Sequence, residues 1–212
     1  MGSEAPKATE SIVMRYYFNS EIEPSSLKQA LEKVKGAEKV DLDSKTRTCN
    51  VSWSGKCRDL GQLENAAAAA GVPAMVISHA HMYLAFKPLK GATLETLNKE
   101  LTAISGVKGV QVSGAAAELH CDLQAVTIEA IRSASKNANF ETQFKSHVWT
   151  DVKVEAGDAA KFQGEVENIK GVLVLKSTGQ NVAFWAVKAV TDAMVKKAGE
   201  KVGATLGEVQ HP

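Results

Sequence analysis

Three stretches of the chain carry apolar residues at the same distances before a glycine. The glycines are Gly36, Gly106 and Gly171, and an apolar side chain stands two, five and nine positions before each of them. The nine apolar residues are Leu27, Leu31, Val34, Leu97, Leu101, Ile104, Phe162, Val166 and Ile169. This spacing puts each set of three on one face of an α-helix, the face that packs on a sheet. We expect a positive φ at Gly106, where the chain leaves its helix for a strand.

The segments around these helices repeat a second pattern, in which short apolar strands alternate with helices. Each copy reads as a strand, the helix just described, a hairpin of two strands, a second helix and a final strand. The second helices are predicted over 60–70, 125–136 and 188–198, and the final strands over 74–78, 141–146 and 204–209. A βαββαβ chain folds compactly as a four-stranded antiparallel sheet with both helices on one face. The sequence therefore predicts an α+β protein of three tandem ferredoxin-like units.

The unit boundaries follow from the same repeat. We place a polar N-terminal tail at 1–10 and ferredoxin-like units at 11–78, 79–147 and 148–210. Each unit is near the lower size limit for a core that folds unaided, so we expect the units to contact one another. The joins between units are almost without linker residues, which favours a rigid or semi-rigid array.

The charges of the chain nearly cancel, with Lys+Arg 25 against Asp+Glu 24. Because such a chain has no strong field of one sign, we expect neither nucleic acid nor an anionic membrane surface as a partner. No apolar run approaches the roughly 20 residues that span a bilayer, so no membrane insertion is expected. The first residues, MGSEAPKATES, show no secretory signal pattern, and the sequence leaves the cellular location open.

The steps from helix to strand, VKGAEKVDL, ISGVKGVQV and IKGVLVLKS, resemble the heavy-metal-associated domain family of copper chaperones, copper-transporting ATPases and mercury-binding proteins. The resemblance covers nearly all of 11–210 as three degenerate copies, and it implies the ferredoxin-like fold. Members of the family bind soft ions such as Cu(I) through two cysteines three positions apart. The corresponding positions here hold no cysteine; they are Ser20, Glu23, Lys90, Thr93, Glu155 and Asp158. We interpret Glu155 and Asp158 as helix caps, with a hard-cation site as the alternative.

Histidines of the second unit are predicted to project from the helix-free face of its sheet. His81 alternates with the apolar residues of the first strand, so it lies opposite the helices. His120 lies on the same face of the neighbouring strand, and His79 just precedes the first strand. Imidazoles that converge in this way suit Zn(II) or Cu(II). The alternative is a hydrated polar face, or a face that a neighbouring unit covers.

The three cysteines are too few and too scattered for a disulfide framework. Cys49 and Cys121 are expected at matching positions of the third strands, with both thiols in the core as small apolar groups. Cys57 lies on a polar loop between Lys56 and Arg58, whose charges favour the thiolate. Cys57 is therefore the candidate reactive thiol, with a chance loop position as the alternative.

The sequence shows no catalytic set, because it has no glycine-rich phosphate loop after a strand and no metalloprotease pair of His and Glu. We expect a non-enzymatic protein. The leading hypothesis is a heavy-metal-associated-like tandem module that binds a transition metal, Zn or Cu, through His81, His120 and His79. The alternative is a metal-free structural or interaction module whose open sheet faces and edge strands bind a protein partner or a second copy of the chain.

Overall fold

The computed structural model describes residues 9–17 and 24–212 of the chain. Most of the predicted polar tail and two loop positions of the first unit, Ser20 and Glu23, lie outside the described residues. Within the described residues, no helix is both long and apolar enough to cross a bilayer.

The helices and strands form three groups in the predicted order. The first group contains β1 (Glu10–Tyr16), α1 (Pro24–Glu32), β2 (Ala37–Asp43), β3 (Thr48–Trp53), α2 (Gly61–Ala69) and β4 (Ala74–Val76). The second contains β5 (Ala80–Pro88), α3 (Leu94–Thr102), β6 (Val107–Ser113), β7 (Ala116–Cys121), α4 (Ile128–Asn137) and β8 (Phe140–Phe144). The third contains β9 (His147–Ala156), α5 (Ala159–Glu167), β10 (Val172–Thr178), β11 (Asn181–Val187), α6 (Asp192–Lys201) and β12 (Thr205–Leu206). We call these groups the first, second and third copy.

Each copy forms its own four-stranded antiparallel sheet. The strand orders are β2-β3-β1-β4, β6-β7-β5-β8 and β10-β11-β9-β12. In every copy the first and third strands therefore pair at the centre, as a βαββαβ chain requires in the ferredoxin-like fold. The predicted fold class, three ferredoxin-like units in an α+β chain, is confirmed.

The chain divides into two compact units, one ending at His79 and one running from Ala80 to Pro212. The first unit holds the first copy, and the second unit holds the other two. In the first copy the central strands pack under α1 and α2, and the fully buried residues include Ile12, Met14, Leu27, Leu31, Val51 and Leu63. The apolar stripe predicted before Gly36 therefore supplies the helix side of this core.

Inside the second unit, the second and third copies contact each other through Trp185. This residue follows Phe184, which belongs to the helix-covered core of the third copy, so its indole projects from the helix-free face. The Trp185 side chain is fully buried, and its Nε1–H donates to the Val126 carbonyl of the second copy at 3.2 Å. Its ring meets Trp149 edge to face and lies against Phe144 of β8, with centroids 5.1 and 5.7 Å apart. The contact expected between small units is present for this pair.

The predicted helix-capping residues Thr93 and Asp158 cap their helices in the structure. Thr93 accepts from the Thr96 N–H at 3.2 Å. Asp158 accepts from the backbone N–H groups of Ala160 and Lys161 at 3.0 and 3.2 Å, as the capping interpretation predicts. Gly106 has the expected positive φ, +88°.

The last helix and strand differ from the prediction. Helix α6 begins at Asp192 instead of 188, because a turn closed by the Val190 N–H on the Val187 carbonyl comes first. The final strand is limited to Thr205–Leu206, where its register against β9 shifts. Beyond it the Gly207 N–H donates to the Lys153 carbonyl of β9 at 2.9 Å, and Gln210 exchanges two backbone hydrogen bonds with Asp151, both 2.9 Å long.

The two buried cysteines do not occupy matching positions, contrary to the prediction. Trp53 pairs with Ala37, which follows Gly36, whereas Cys121 pairs with Val107, which follows Gly106. Cys121 therefore corresponds to Trp53, four residues beyond Cys49. The turn between β2 and β3 is two residues longer than the turn between β6 and β7, which accounts for half of this offset. In the longer turn the Asp43 carboxylate accepts the Lys45 and Thr46 N–H groups. Both thiols are nevertheless fully buried, as expected.

Candidate metal centre

A histidine follows the last strand of every copy, eight positions after a residue with left-handed backbone conformation. The left-handed residues follow the second helix of each copy and have φ of 76°, 61° and 64°. The pairs are Gly71 and His79, Asn139 and His147, and Gly203 and His211. This fixed spacing was visible in the sequence, but a search for helix periodicity does not detect it, because it spans a turn and a short strand.

His79 is anchored at the end of the first copy by both ring nitrogens. Its side chain is only 1% exposed. Nδ1 lies 3.0 Å from the Ser78 hydroxyl, which also accepts the Val13 N–H of β1 at 2.9 Å. Nε2 lies 2.8 Å from a carboxylate oxygen of Glu10, the first residue of β1. The imidazole is therefore fixed in orientation, with Nε2 facing the first residue of the same sheet.

Cys57 completes a group of three metal-ligating side chains around this imidazole. It opens a short 3-10 turn, Cys57–Asp59, between β3 and α2. Glu10, Cys57 and His79 each offer one ligand atom, and these atoms all lie within 4.8 Å of one another. Among the described residues this is the one group of three such side chains found that close together. The strand pairing of Glu10 with Trp53 explains the meeting, since it holds the start of β1 beside the chain that leaves β3.

The group fits a tetrahedral ion after small movements. With metal–nitrogen and metal–oxygen bonds of about 2.0–2.2 Å, two such ligand atoms lie about 3.4 Å apart, and a sulfur and a nitrogen about 3.6 Å apart. Glu10 and Cys57 are exposed and can adjust to these distances, whereas His79 is fixed. The Ser78 hydroxyl oxygen can accept a hydrogen bond from Nδ1–H, and in that tautomer the Nε2 lone pair can bind an ion.

The corresponding position differs in the other copies. In the third copy, His211 Nε2 lies 2.9 Å from a carboxylate oxygen of Asp192, and its Nδ1 lies 3.3 Å from the Trp149 carbonyl. After the second copy, the Ser146 hydroxyl lies 2.8 Å from His147 Nδ1 and accepts the Tyr83 N–H at 2.9 Å. Ser78 makes the same two kinds of hydrogen bond in the first copy. Burial lowers the pKa of His147 to about 4. Of the three histidines, only His79 has a cysteine and a carboxylate together beside it.

The structure brings together two of the three predicted histidine ligands. His81 and His120 are directly paired across β5 and β7, and their rings stack with centroids 5.1 Å apart at 17°. The lone pairs of imidazole nitrogens lie in the ring planes, so two stacked rings do not aim them at one ion. His79 takes part in the Glu10 and Cys57 group of the first unit instead.

A carboxylate accepts hydrogen bonds beside the stacked histidines. Glu118 lies 2.6 Å from His81 Nδ1 and accepts the Tyr83 hydroxyl at 3.1 Å. The hydrogen bond from His81 lowers the pKa of Glu118, and the hydrogen bond to Glu118 raises the pKa of Tyr83. The cluster is thus a hydrogen-bonded group on an open sheet face.

The three thiols have different environments. Cys49 and Cys121 are fully buried, and desolvation raises the pKa of each thiol to about 12. Cys57 is exposed. Metal or redox chemistry at sulfur is therefore open to Cys57 and disfavoured at the other two.

No family model matches the chain, and no curated protein matches it. Among solved structures, the chain is similar to oxidized MerP from Ralstonia metallidurans CH34, with 28% sequence identity and a TM-score of 0.28. The match covers 32% of this chain and 97% of the MerP chain. It is also similar to the water-soluble region of the P-type ATPase CopA from Bacillus subtilis, with 13% sequence identity and a TM-score of 0.41. That match covers 66% of this chain and 94% of the CopA chain. The fold of this chain rests on its own strand order and pairing.

Proposed function

We propose that the chain is a non-enzymatic metal-binding protein that holds one Zn(II) ion at Glu10, Cys57 and His79. The observation that carries the proposal is the approach of three ligand atoms of different chemistry to within 4.8 Å of one another. The proposal keeps the metal-related role that the resemblance implies and moves the site from the usual loop to the end of the first sheet.

The mixture of ligand atoms favours Zn(II) over Cu(I). Thiolate and imidazole suit either ion, but a carboxylate oxygen is a common zinc ligand and a poor Cu(I) ligand. Three protein ligands leave one position of a tetrahedral ion for water. Because Glu10 and Cys57 are exposed, this fourth position faces solvent.

The neighbours of His79 support the same proposal. A metal-bound imidazole is normally held by a hydrogen bond to its other nitrogen, and Ser78 supplies that bond here. The Val13 N–H fixes the Ser78 hydroxyl in turn. One ligand is therefore positioned before any ion arrives, which lowers the entropic cost of binding.

The first test is zinc binding by the full chain, measured by competition with a chromophoric chelator and by elemental analysis after desalting. We expect about one ion per chain, and at least about tenfold weaker binding for Cys57→Ser and His79→Gln. His211→Gln is the matched control, because His211 occupies the same place in the third copy without a cysteine beside it. Equal affinity of the wild type and both site variants would refute the proposed site.

A double variant, His81→Ala with His120→Ala, tests the pair predicted from sequence. If the ion binds at Glu10, Cys57 and His79, the double variant keeps the full zinc stoichiometry. Loss of the ion only in the double variant would move the site to the open face of the second copy.

The alternative function is a protein-interaction module, and one surface favours it. A depression of about 390 Å³ lies on the second sheet, between Tyr83, Ala85, Glu118 and Lys145. Tyr83 is 47% exposed beside it, and an exposed aromatic residue next to a concave surface is typical of an interface. Partner binding that Tyr83→Ala abolishes, in a chain that retains no zinc, would favour this function.

A further inference from the structure

We propose that Cys57 is a redox-controlled ligand, whose oxidation by a hydroperoxide releases the ion held with Glu10 and His79. This inference rests on the proposed metal site and adds a means of its regulation. Cys57 is thus a modification site as well as a ligand, and the oxidant is a hydroperoxide.

Accessibility confines the reaction to one of the three thiols. Cys57 is exposed and lies in a short turn, whereas Cys49 and Cys121 have no solvent-accessible surface. To react, a hydroperoxide must approach so that the sulfur lies in line with the O–O bond that breaks. A buried thiol has no room for this approach. Burial also keeps the two core thiols protonated, and a protonated thiol is a weak nucleophile.

The three ligands differ in how easily each can leave the ion. His79 is 1% exposed and held by Ser78, whereas the Glu10 side chain is 46% exposed. Cys57 is the only sulfur ligand, so it supplies the strongest bond to a zinc ion in this set. Removing it leaves one imidazole and one flexible carboxylate, which are too few ligands for tight binding.

The oxidation step balances without a further cofactor. The sulfur of Cys57 attacks the outer oxygen of the hydroperoxide, an S–O bond forms, and the O–O bond breaks. The leaving oxygen takes a proton from solvent and departs as water or an alcohol. Sulfur loses two electrons and the peroxide gains two, and the product is a sulfenic acid, which binds Zn(II) far more weakly than a thiolate.

The reverse step needs a small external thiol. The buried positions of Cys49 and Cys121 exclude them as partners for the sulfenic acid. A low-molecular-weight thiol condenses with it to a mixed disulfide and water, and a second such thiol then regenerates Cys57 by exchange. The cycle therefore restores the ligand and its capacity for zinc.

The test treats the zinc-loaded full chain with hydrogen peroxide and follows three quantities in the same sample. These are zinc released to a chromophoric chelator, sulfenic acid trapped at Cys57 by a dimedone probe and located by mass spectrometry, and zinc rebound after dithiothreitol. We expect one ion released for each Cys57 oxidised, an affinity at least about a hundredfold lower while oxidised, and full rebinding after reduction. Cys121→Ser, which removes a buried thiol, is expected to release zinc at the wild-type rate.

The outcomes separate this inference from the metal site itself. If Cys57 is oxidised and the zinc stays bound, or if release follows oxidation of Cys49 or Cys121, the redox role is wrong and the metal site stands. Absence of dimedone labelling at Cys57 also overturns the redox role. If the chain retains no zinc before peroxide is added, the proposed function fails first.

Discussion

His147 is a buried histidine whose neighbours differ from those of its counterparts in the other copies. It is 8% exposed, and its Nδ1 lies 2.8 Å from the Ser146 hydroxyl. Desolvation penalises the charged imidazole and lowers the pKa of His147 to about 4. His79 lies beside a cysteine and a carboxylate, whereas burial favours the neutral form of His147.

The low pKa of His147 predicts a pH-dependent stability. The unfolded chain takes up this proton near pH 6.5, but the folded chain resists it down to about pH 4. The contribution to stability is therefore complete above about pH 6.5 and is lost as the pH falls towards 4, by up to about 3 kcal/mol. We expect His147→Gln to flatten this part of the urea-unfolding profile. An identical slope in wild type and His147→Gln would contradict the assignment.

At the scale of helices and strands, the glycine after the first helix of each copy lies close to the end of the third strand or the segment that follows it. Gly36, Gly106 and Gly171 have φ of +105°, +88° and +105°. A side chain at Gly106 would also meet the Ala125 methyl at 2.6 Å, too close for two carbons. The repeated glycine therefore serves both the turn and the close packing that follows it.

A pair of glycine variants separates these two roles. Gly106→Ala suffers the left-handed backbone and the contact with Ala125, whereas Gly114→Ala, at φ +59°, meets nothing within 4 Å. We expect a loss of about 1–2 kcal/mol in unfolding free energy for Gly114→Ala and about 3–4 kcal/mol for Gly106→Ala. Equal losses in urea titrations would show that the contact with Ala125 costs nothing.

The fold could be predicted from sequence because its signals are local. The spacing of Leu97 and Leu101 before Gly106, and the cap at Thr93, act within one helix and one turn. The mismatch of Cys49 and Cys121 shows where this reasoning ends, because two extra residues in a turn shift the whole register of a strand.

The candidate metal site could not be predicted in the same way. Glu10, Cys57 and His79 belong to three separate segments, and the pairing of β1 with β3 and β4 brings them together. The sequence identified Cys57 as a candidate thiol and His79 as a candidate ligand, but for different reasons and in different places. Glu10 carried no signal, since it stands in a polar stretch before a strand.

At the scale of the second compact unit, Trp185 connects the sheets of the second and third copies. The cross-strand pair of Trp149 and Trp185 occupies the place in the third copy that His81 and His120 occupy in the second. The same position of one repeated fold is thus an apolar contact in one copy and a polar cluster in another.

The Trp185 contact predicts cooperative unfolding of the second and third copies. We expect Trp185→Ala to lower the unfolding free energy of the second unit by about 3–5 kcal/mol, since it removes a fully buried indole. Trp185→Phe, which loses mainly the hydrogen bond to Val126, should cost less. Native-state hydrogen exchange should show one common opening energy for β7 and β11 in the wild type and two separate ones in Trp185→Ala. Unchanged exchange in Trp185→Ala would contradict the coupling.

The hydrogen bond between Glu10 and His79 means that the two ends of the first copy touch. The third copy shows the same closure, where His211 approaches the Trp149 carbonyl near the start of β9. A domain whose ends meet tolerates circular permutation, and it can be duplicated in frame with hardly any spacer between the copies. The closeness of its two ends is thus the property that lets one such domain follow another along a chain without a long linker.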